Sequence, residues 1–187
     1  MEEEKVLPWV PELFDWLEVI VTAIIAVVLI FSFVFRVATI DGDSMKNTLY
    51  NGEKVIITNF AYTPKVGDIV VISRNLNNSA TEQSDLPIIK RIIATEGQTV
   101  DIDFVKGEVY VDGVREKYVN VPTNLKYDIV FPVTVDEGCV FVLGDNRNDS
   151  LDSRSSSIGN NGMIDTRYIL GHAVIRIFPF DKIGGLD

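Results

Sequence analysis

Twenty residues, Trp16 to Phe35, carry one charge, Glu18, close to their start. As a helix such a run spans about 30 Å, the thickness of a bilayer core. A buried core helix would satisfy the same pattern. A cleaved export signal would add a basic leading region, a shorter apolar stretch and a small-residue cleavage site, and none is present. The run is therefore expected to remain as a membrane anchor over residues 16–36. Residues 1–15 read as a short acidic tail, with five acids against Lys5 and with Pro8 and Pro11 discouraging an earlier helix start. The basic residues nearest the run, Lys5 before it and Arg36 after it, balance, so the positive-inside rule leaves orientation open.

Beyond the anchor the pattern changes to short strands. The segments 37–40, 53–58, 69–73, 88–94, 100–104, 130–135, 139–143 and 171–178 alternate or run apolar as strands do. Glu108 to Arg115, turning at Asp112-Gly113, has the signature of a hairpin with a two-residue turn. Residues 74–86 are polar and read as a mobile surface loop, and 144–162 as a second loop. The reading is a mostly β domain, residues 37–187, behind a single N-terminal transmembrane helix. A net charge of −10 argues against nucleic acid as a partner. Cys139 is the only cysteine, which excludes an intrachain disulfide and a thiolate metal cluster.

Three stretches could carry chemistry. Asp41-Gly42-Asp43-Ser44 is ordinary turn sequence, but it sets Ser44 nine residues past Phe35, within about 30 Å of the bilayer edge. A serine becomes a nucleophile when a base takes its proton. The one histidine, His172, lies in a strand pattern with no adjacent acid, and reads as a strand residue. Lysine is the alternative base, provided burial lowers its pKa. In Ile88-Ile89-Lys90-Arg91-Ile92-Ile93, alternation gives each face two isoleucines and one cation. Lys90 is then either a buried base or an edge-strand lysine opposing aggregation. The loop 144–154 packs three acids, two arginines and two serines into eleven residues. It reads as a solvated loop or as a site element. The arginines and the lack of a closing Glu argue against calcium.

Taken in order, these stretches resemble bacterial signal peptidase I, a membrane-anchored Ser-Lys protease. Gly42-Asp43-Ser44-Met45-Lys46-Asn47-Thr48-Leu49 is similar to the family's nucleophile motif, and Val66 to Val71 to its next segment. Ile89-Lys90-Arg91-Ile92-Ile93 resembles the general-base motif. Gly144 to Arg154 resembles the longest signature, and Gly171 to Gly184 the closing segment. The resemblance implies Ser44 as nucleophile, Lys90 as general base and acid, and Ser150 hydrogen-bonded to the lysine. It implies that Asp145 with Arg91, and Asp152 with Arg154, hold the loop against the base strand. It further implies an oxyanion donor in the Ser44 N–H and a β domain outside the cytoplasm. Preproteins with signal peptides would be the substrates and membrane lipid the surroundings, with no cofactor or metal.

Two positions depart from the family. Asn47 stands where a proline is usual, so the turn loses a fixed φ, and Gly42 stands where some members carry a second oxyanion-donating serine. The other readings are a self-cleaving Ser-Lys repressor, whose DNA-binding segment would have to sit where the apolar run lies, and an anchored β domain that binds exported proteins without cutting them.

Overall fold

A computed structural model of the chain describes residues 9–73 and 86–186. The expected loop 74–86 lies outside this range except for Leu86, as do residues 1–8 of the acidic tail. The chain forms two units, Met1–Arg36 and Val37–Asp187.

The first unit contains helix α1, Val10–Val34. It begins six residues before the expected anchor. Pro11 does not delay it, because a proline in the first turn forfeits only an N–H that has no intrahelical acceptor. Within it, Glu12–Ser32 has a mean hydropathy of 2.4 and none of this stretch is buried. The helix is long and apolar enough to cross a membrane.

The described residues after the helix form two sheets. The larger is built from β1 (Phe35–Thr39), β2 (Lys54–Thr58), β3 (Ile69–Ile72), β4 (Ile88–Thr95), β9 (Cys139–Leu143), β10 (Ile164–Asp165) and β11 (Ile169–Phe178). Its order is β1-β2-β11-β3-β4-β9-β10, and β12 (Gly184–Gly185) adds to β11. The smaller has the order β7-β6-β5-β8, with β5 Thr99–Asp103, β6 Glu108–Val111, β7 Val114–Arg115 and β8 Val133–Thr134. Strand β3 sits between β11 and β4 and every residue in it is buried. Ile69 and Val71 join one apolar cluster with Met45 and Leu49, whereas Val70 and Ile72 join another with Ile92 and Val142. A strand covered on both faces needs a continuous apolar run, and that is what its sequence supplies.

The hairpin forms as read: Tyr110 faces Arg115, Val111 faces Val114, and Asp112 and Gly113 both take positive φ, at 51° and 77°. The expected strand over 130–135 is cut to Val133–Thr134. Pro132 has no N–H to give a ladder, and Val130 is left exposed.

Candidate active site

Ser44 sits in a turn held from beneath by its apolar neighbours. Met45 and Leu49 are buried in the core, and the N–H groups of Thr48 and Leu49 both donate to the Met45 carbonyl. On the other side, Ile40 exchanges backbone hydrogen bonds with the 52–53 segment. Gly42, at φ 89°, gives its N–H to Asn51 Oδ1. The turn is thus anchored at both ends, with Ser44 half-buried between them.

Strand β4 brings Lys90 to this turn. Lys90 is 3% exposed and faces Val70 of β3. Its Nζ donates to Ser44 Oγ at 2.8 Å and to the Ile89 carbonyl at 2.9 Å. Of the two readings open for Lys90, the buried one holds. β4 is an interior strand between β3 and β9, so alternation carries its lysine into the protein.

The loop after β9 closes over both residues. Asn146 N–H donates to the Ser44 carbonyl and Asn146 Nδ2 to the Asp43 carbonyl. Asp145, fully buried, takes a two-pronged ion pair from Arg91, Nε to Oδ1 at 2.9 Å and Nη2 to Oδ2 at 2.8 Å. Thr48 Oγ1 also donates to Asp145, and the third guanidinium nitrogen of Arg91 donates to the Gly67 carbonyl. The Ser44 turn, strand β4 and the loop therefore meet at one carboxylate. Gly144 has to be glycine, because a Cβ there would lie 2.2 Å from Ser150 Oγ and 2.6 Å from the Ser44 carbonyl oxygen.

Two expected pairings differ in the structure. Ser150 Oγ is buried and makes no hydrogen bond among the described residues, so the bond to Lys90 is not formed, although both residues line one cleft. Its hydroxyl packs against Gly144 instead. Asp152 and Arg154 do pair, at 2.8 and 2.9 Å, but they bind the loop to itself rather than to β4. Asp152 Oδ2 also accepts the Gly144 N–H, and Arg154 donates to the Ser150 and Leu125 carbonyls.

The 122–127 segment has no strand pattern and could not be foreseen from residue order. It is fastened to the loop by Asn148, whose Oδ1 accepts the N–H groups of Asn124 and Leu125 and whose Nδ2 donates to the Pro122 carbonyl. Arg147, paired with Glu116 at 2.9 Å, adds a second tie through Thr123. These ties place Leu125 and Tyr127 on the wall of a cleft of about 430 Å³ that also contains Ser44, Lys90 and Ser150. Burial raises the pKa of Tyr127, which keeps its phenol neutral there. His172 lies in β11 with Nδ1 3.0 Å from the Thr58 carbonyl and its ring stacked on Tyr62, and it does not line the cleft. Asp43 accepts a 2.6 Å ion pair from Lys46, whose pKa it raises, with a smaller push from Asp149.

Residues 13–178 match the profile of the family described as "Signal peptidase, peptidase S26". The chain is 32% identical to "Signal peptidase I" of Bacillus licheniformis over the whole of both chains. It is 35% identical to "Probable signal peptidase I-1" of a Synechocystis strain, covering 89% of this chain and 83% of that one. A crystal structure of a signal peptidase I from Enterococcus faecalis is 28% identical, with a TM-score of 0.43 over 59% of this chain and 97% of that chain. With the profile spanning most of the chain and full-length relatives above 30% identity, the chain belongs to the signal peptidase I family of S26 peptidases.

Proposed function

We propose that this chain is a membrane-anchored serine endopeptidase that removes N-terminal signal peptides from exported preproteins through a Ser44–Lys90 dyad. One observation carries the reading: a lysine amine shut away from water lies 2.8 Å from a serine hydroxyl at the floor of an open cleft. Burial disfavours the ammonium form, and a neutral amine at that distance is placed to take the hydroxyl proton.

The reaction follows from that placement. As Lys90 Nζ accepts the proton, Ser44 Oγ bonds to the scissile carbonyl carbon and the carbonyl π pair moves to oxygen. The Ser44 N–H, which has no acceptor among the described residues, is the donor for that oxyanion. The ammonium then protonates the leaving nitrogen as the C–N bond breaks, releasing the mature protein and leaving an ester on Ser44. Neutral Lys90 next takes a proton from water as its oxygen bonds to the ester carbon; the C–Oγ bond then breaks, the lysine ammonium returns the proton to Ser44 Oγ, and the signal peptide leaves with a free carboxyl group. Arg91 with Asp145 fixes the base strand to the loop, and Asp152 with Arg154 fixes the loop's own shape.

Among the described residues strand β1 ends the larger sheet, with β2 as its one neighbour, and its other edge is the place for an extended substrate segment. A signal peptide bound there would bring small residues at −1 and −3 to Ser44. Helix α1 would hold the enzyme in the bilayer where such substrates are delivered, with the β domain outside the cytoplasm. Incubating the purified full chain in detergent with a model preprotein, and sequencing the new N-terminus, tests the proposal. A single cut after a small residue is expected. No cut, or cuts scattered along the substrate, would refute it.

A further inference from the structure

Three carboxylates stand on the rim of the cleft that holds Ser44: Asp41, Asp43 and Asp149. Asp43 is matched by Lys46 at 2.6 Å. Asp41 and Asp149 are exposed and form no ion pair among the described residues. The remaining cleft cation is Lys90, which must be neutral when it acts as a base. Deeper in the same cleft, Ser150 Oγ is buried and lacks a hydrogen-bond partner among the described residues. The cleft therefore offers an incoming polar chain an unused hydroxyl within and, at the mouth, three carboxylates against Lys46, a net excess of negative charge.

We infer that the cleft selects by charge: it favours substrates with a basic residue, and disfavours those with an acidic one, within the few residues flanking the scissile bond. Clefts lined by one sign of charge focus the field and raise the local concentration of the opposite sign, and a like charge at the rim slows docking. With −1 and −3 occupied by small residues, the positions that meet the rim are −2, +1, +2 and +3. The inference rests on the reading of Ser44 and Lys90 as a peptide-cleaving pair.

The test uses the full chain in uncharged detergent and a neutral parent peptide, with Lys or Glu placed in turn at each of these four positions. At low ionic strength kcat/KM for the Lys peptide should exceed that for the Glu peptide by roughly five- to tenfold at one position or more. Raising salt to about 0.5 M should bring the ratio below about two, because the screening length falls to a few ångströms. Asp149→Asn and Asp41→Asn should each lower the ratio, every variant being normalised to its own rate on the neutral parent. Asp101→Asn, which removes the same charge from exposed β5 outside the cleft, should leave it unchanged. A ratio near one at all four positions at low salt would overturn the inference while leaving the peptidase reading intact. So would a ratio that falls equally in all three variants, since the preference would then come from net charge alone. A parent peptide left uncut would remove both.

Discussion

Two charge-bearing stretches of this chain meet opposite fates in the fold. Residues 144–155 are full of Asp, Asn, Arg and Ser, and Asp145, Arg147, Asp152, Ser153 and Arg154 are all at 0–1% exposure. The hairpins of the smaller sheet, 95–115, are polar too, yet Asp101, Asp112 and Arg115 stay at the surface. The difference lies in pairing capacity. Arginine forks match the loop's carboxylates two-pronged, Arg91 of β4 to Asp145 and the loop's own Arg154 to Asp152. Charges satisfied in that way tolerate burial, and isolated ones do not. Polarity alone therefore does not indicate exposure; a complementary acid–arginine set is the better guide.

The comparison is broken hardest at the buried contact itself. Ser44→Ala and Lys90→Ala should each lower turnover about 10⁴-fold or more, and the double variant should be no worse than either, because the two act as one unit. Lys90→Arg should be equally inactive, since a guanidinium stays charged. For the wild type, kcat/KM should rise with pH along a limb set by a group titrating below the ordinary lysine value of about 10.4. His172→Ala should keep most activity. Substantial activity in either single variant, measured with a peptide whose chemistry limits the rate, would end the dyad assignment.

Next in size is the ion pair that joins loop to strand. Asp145→Ala would strand Arg91 in the core and leave Thr48 Oγ1 without its acceptor, and should cost about 3–5 kcal/mol. Replacing both Arg91 and Asp145 by leucine should cost less than Asp145→Ala alone. Chemical denaturation in detergent reads both. Near-equal losses would mean that the pair's value lies in something other than mutual neutralisation.

Much of this architecture could be read from residue order. Alternation located β2 to β6, β9 and β11 within a residue or two, whereas the isoleucines around Lys90 fit a buried base and an edge-strand lysine alike, and only the interior place of β4 puts that side chain inside. The parts that could not be read are those made by contact between distant segments. No local pattern links Asn148 to residues 122–125, or Thr48 to Asp145, and Leu125 and Tyr127 reach the cleft only through such ties. Strands β10 and β12 are two residues each, too short for a period to show.

Asn47 shows the same limit on a smaller scale. Compared with a family proline, it reads as a loss of rigidity, yet its φ is 84°, a value proline's ring forbids. Asparagine tolerates that region. Asn47→Pro should therefore cost about 2 kcal/mol and slow cleavage by displacing Ser44, three residues away, whereas Asn47→Gly should leave both nearly unchanged. Improved stability in the proline variant would mean that this turn can adopt a second form.

The smallest effect belongs to the exposed stretch. Asp112 accepts the Thr99 N–H at 2.8 Å and a hydrogen bond from the Gln98 side chain, and these, the Thr99 bond first, hold its pKa below the ordinary carboxylate value. A carboxylate whose folded pKa is depressed adds stability above its unfolded pKa of about 3.9. That contribution disappears as pH falls through the folded value. Asp112→Asn keeps a residue that accepts positive φ before Gly113 and removes the titration. The wild type should thus be slightly more stable than the variant at pH 7, and the two should converge once pH has fallen below the folded value. Buried Asp145 gives the contrast, because its alanine variant loses an acceptor as well as a charge and should stay less stable than the wild type at both pH values. Denaturation midpoints for both variants at the two pH values separate the cases. A large pH-independent loss in Asp112→Asn would show that the surface hairpin depends on its acid as the buried loop does.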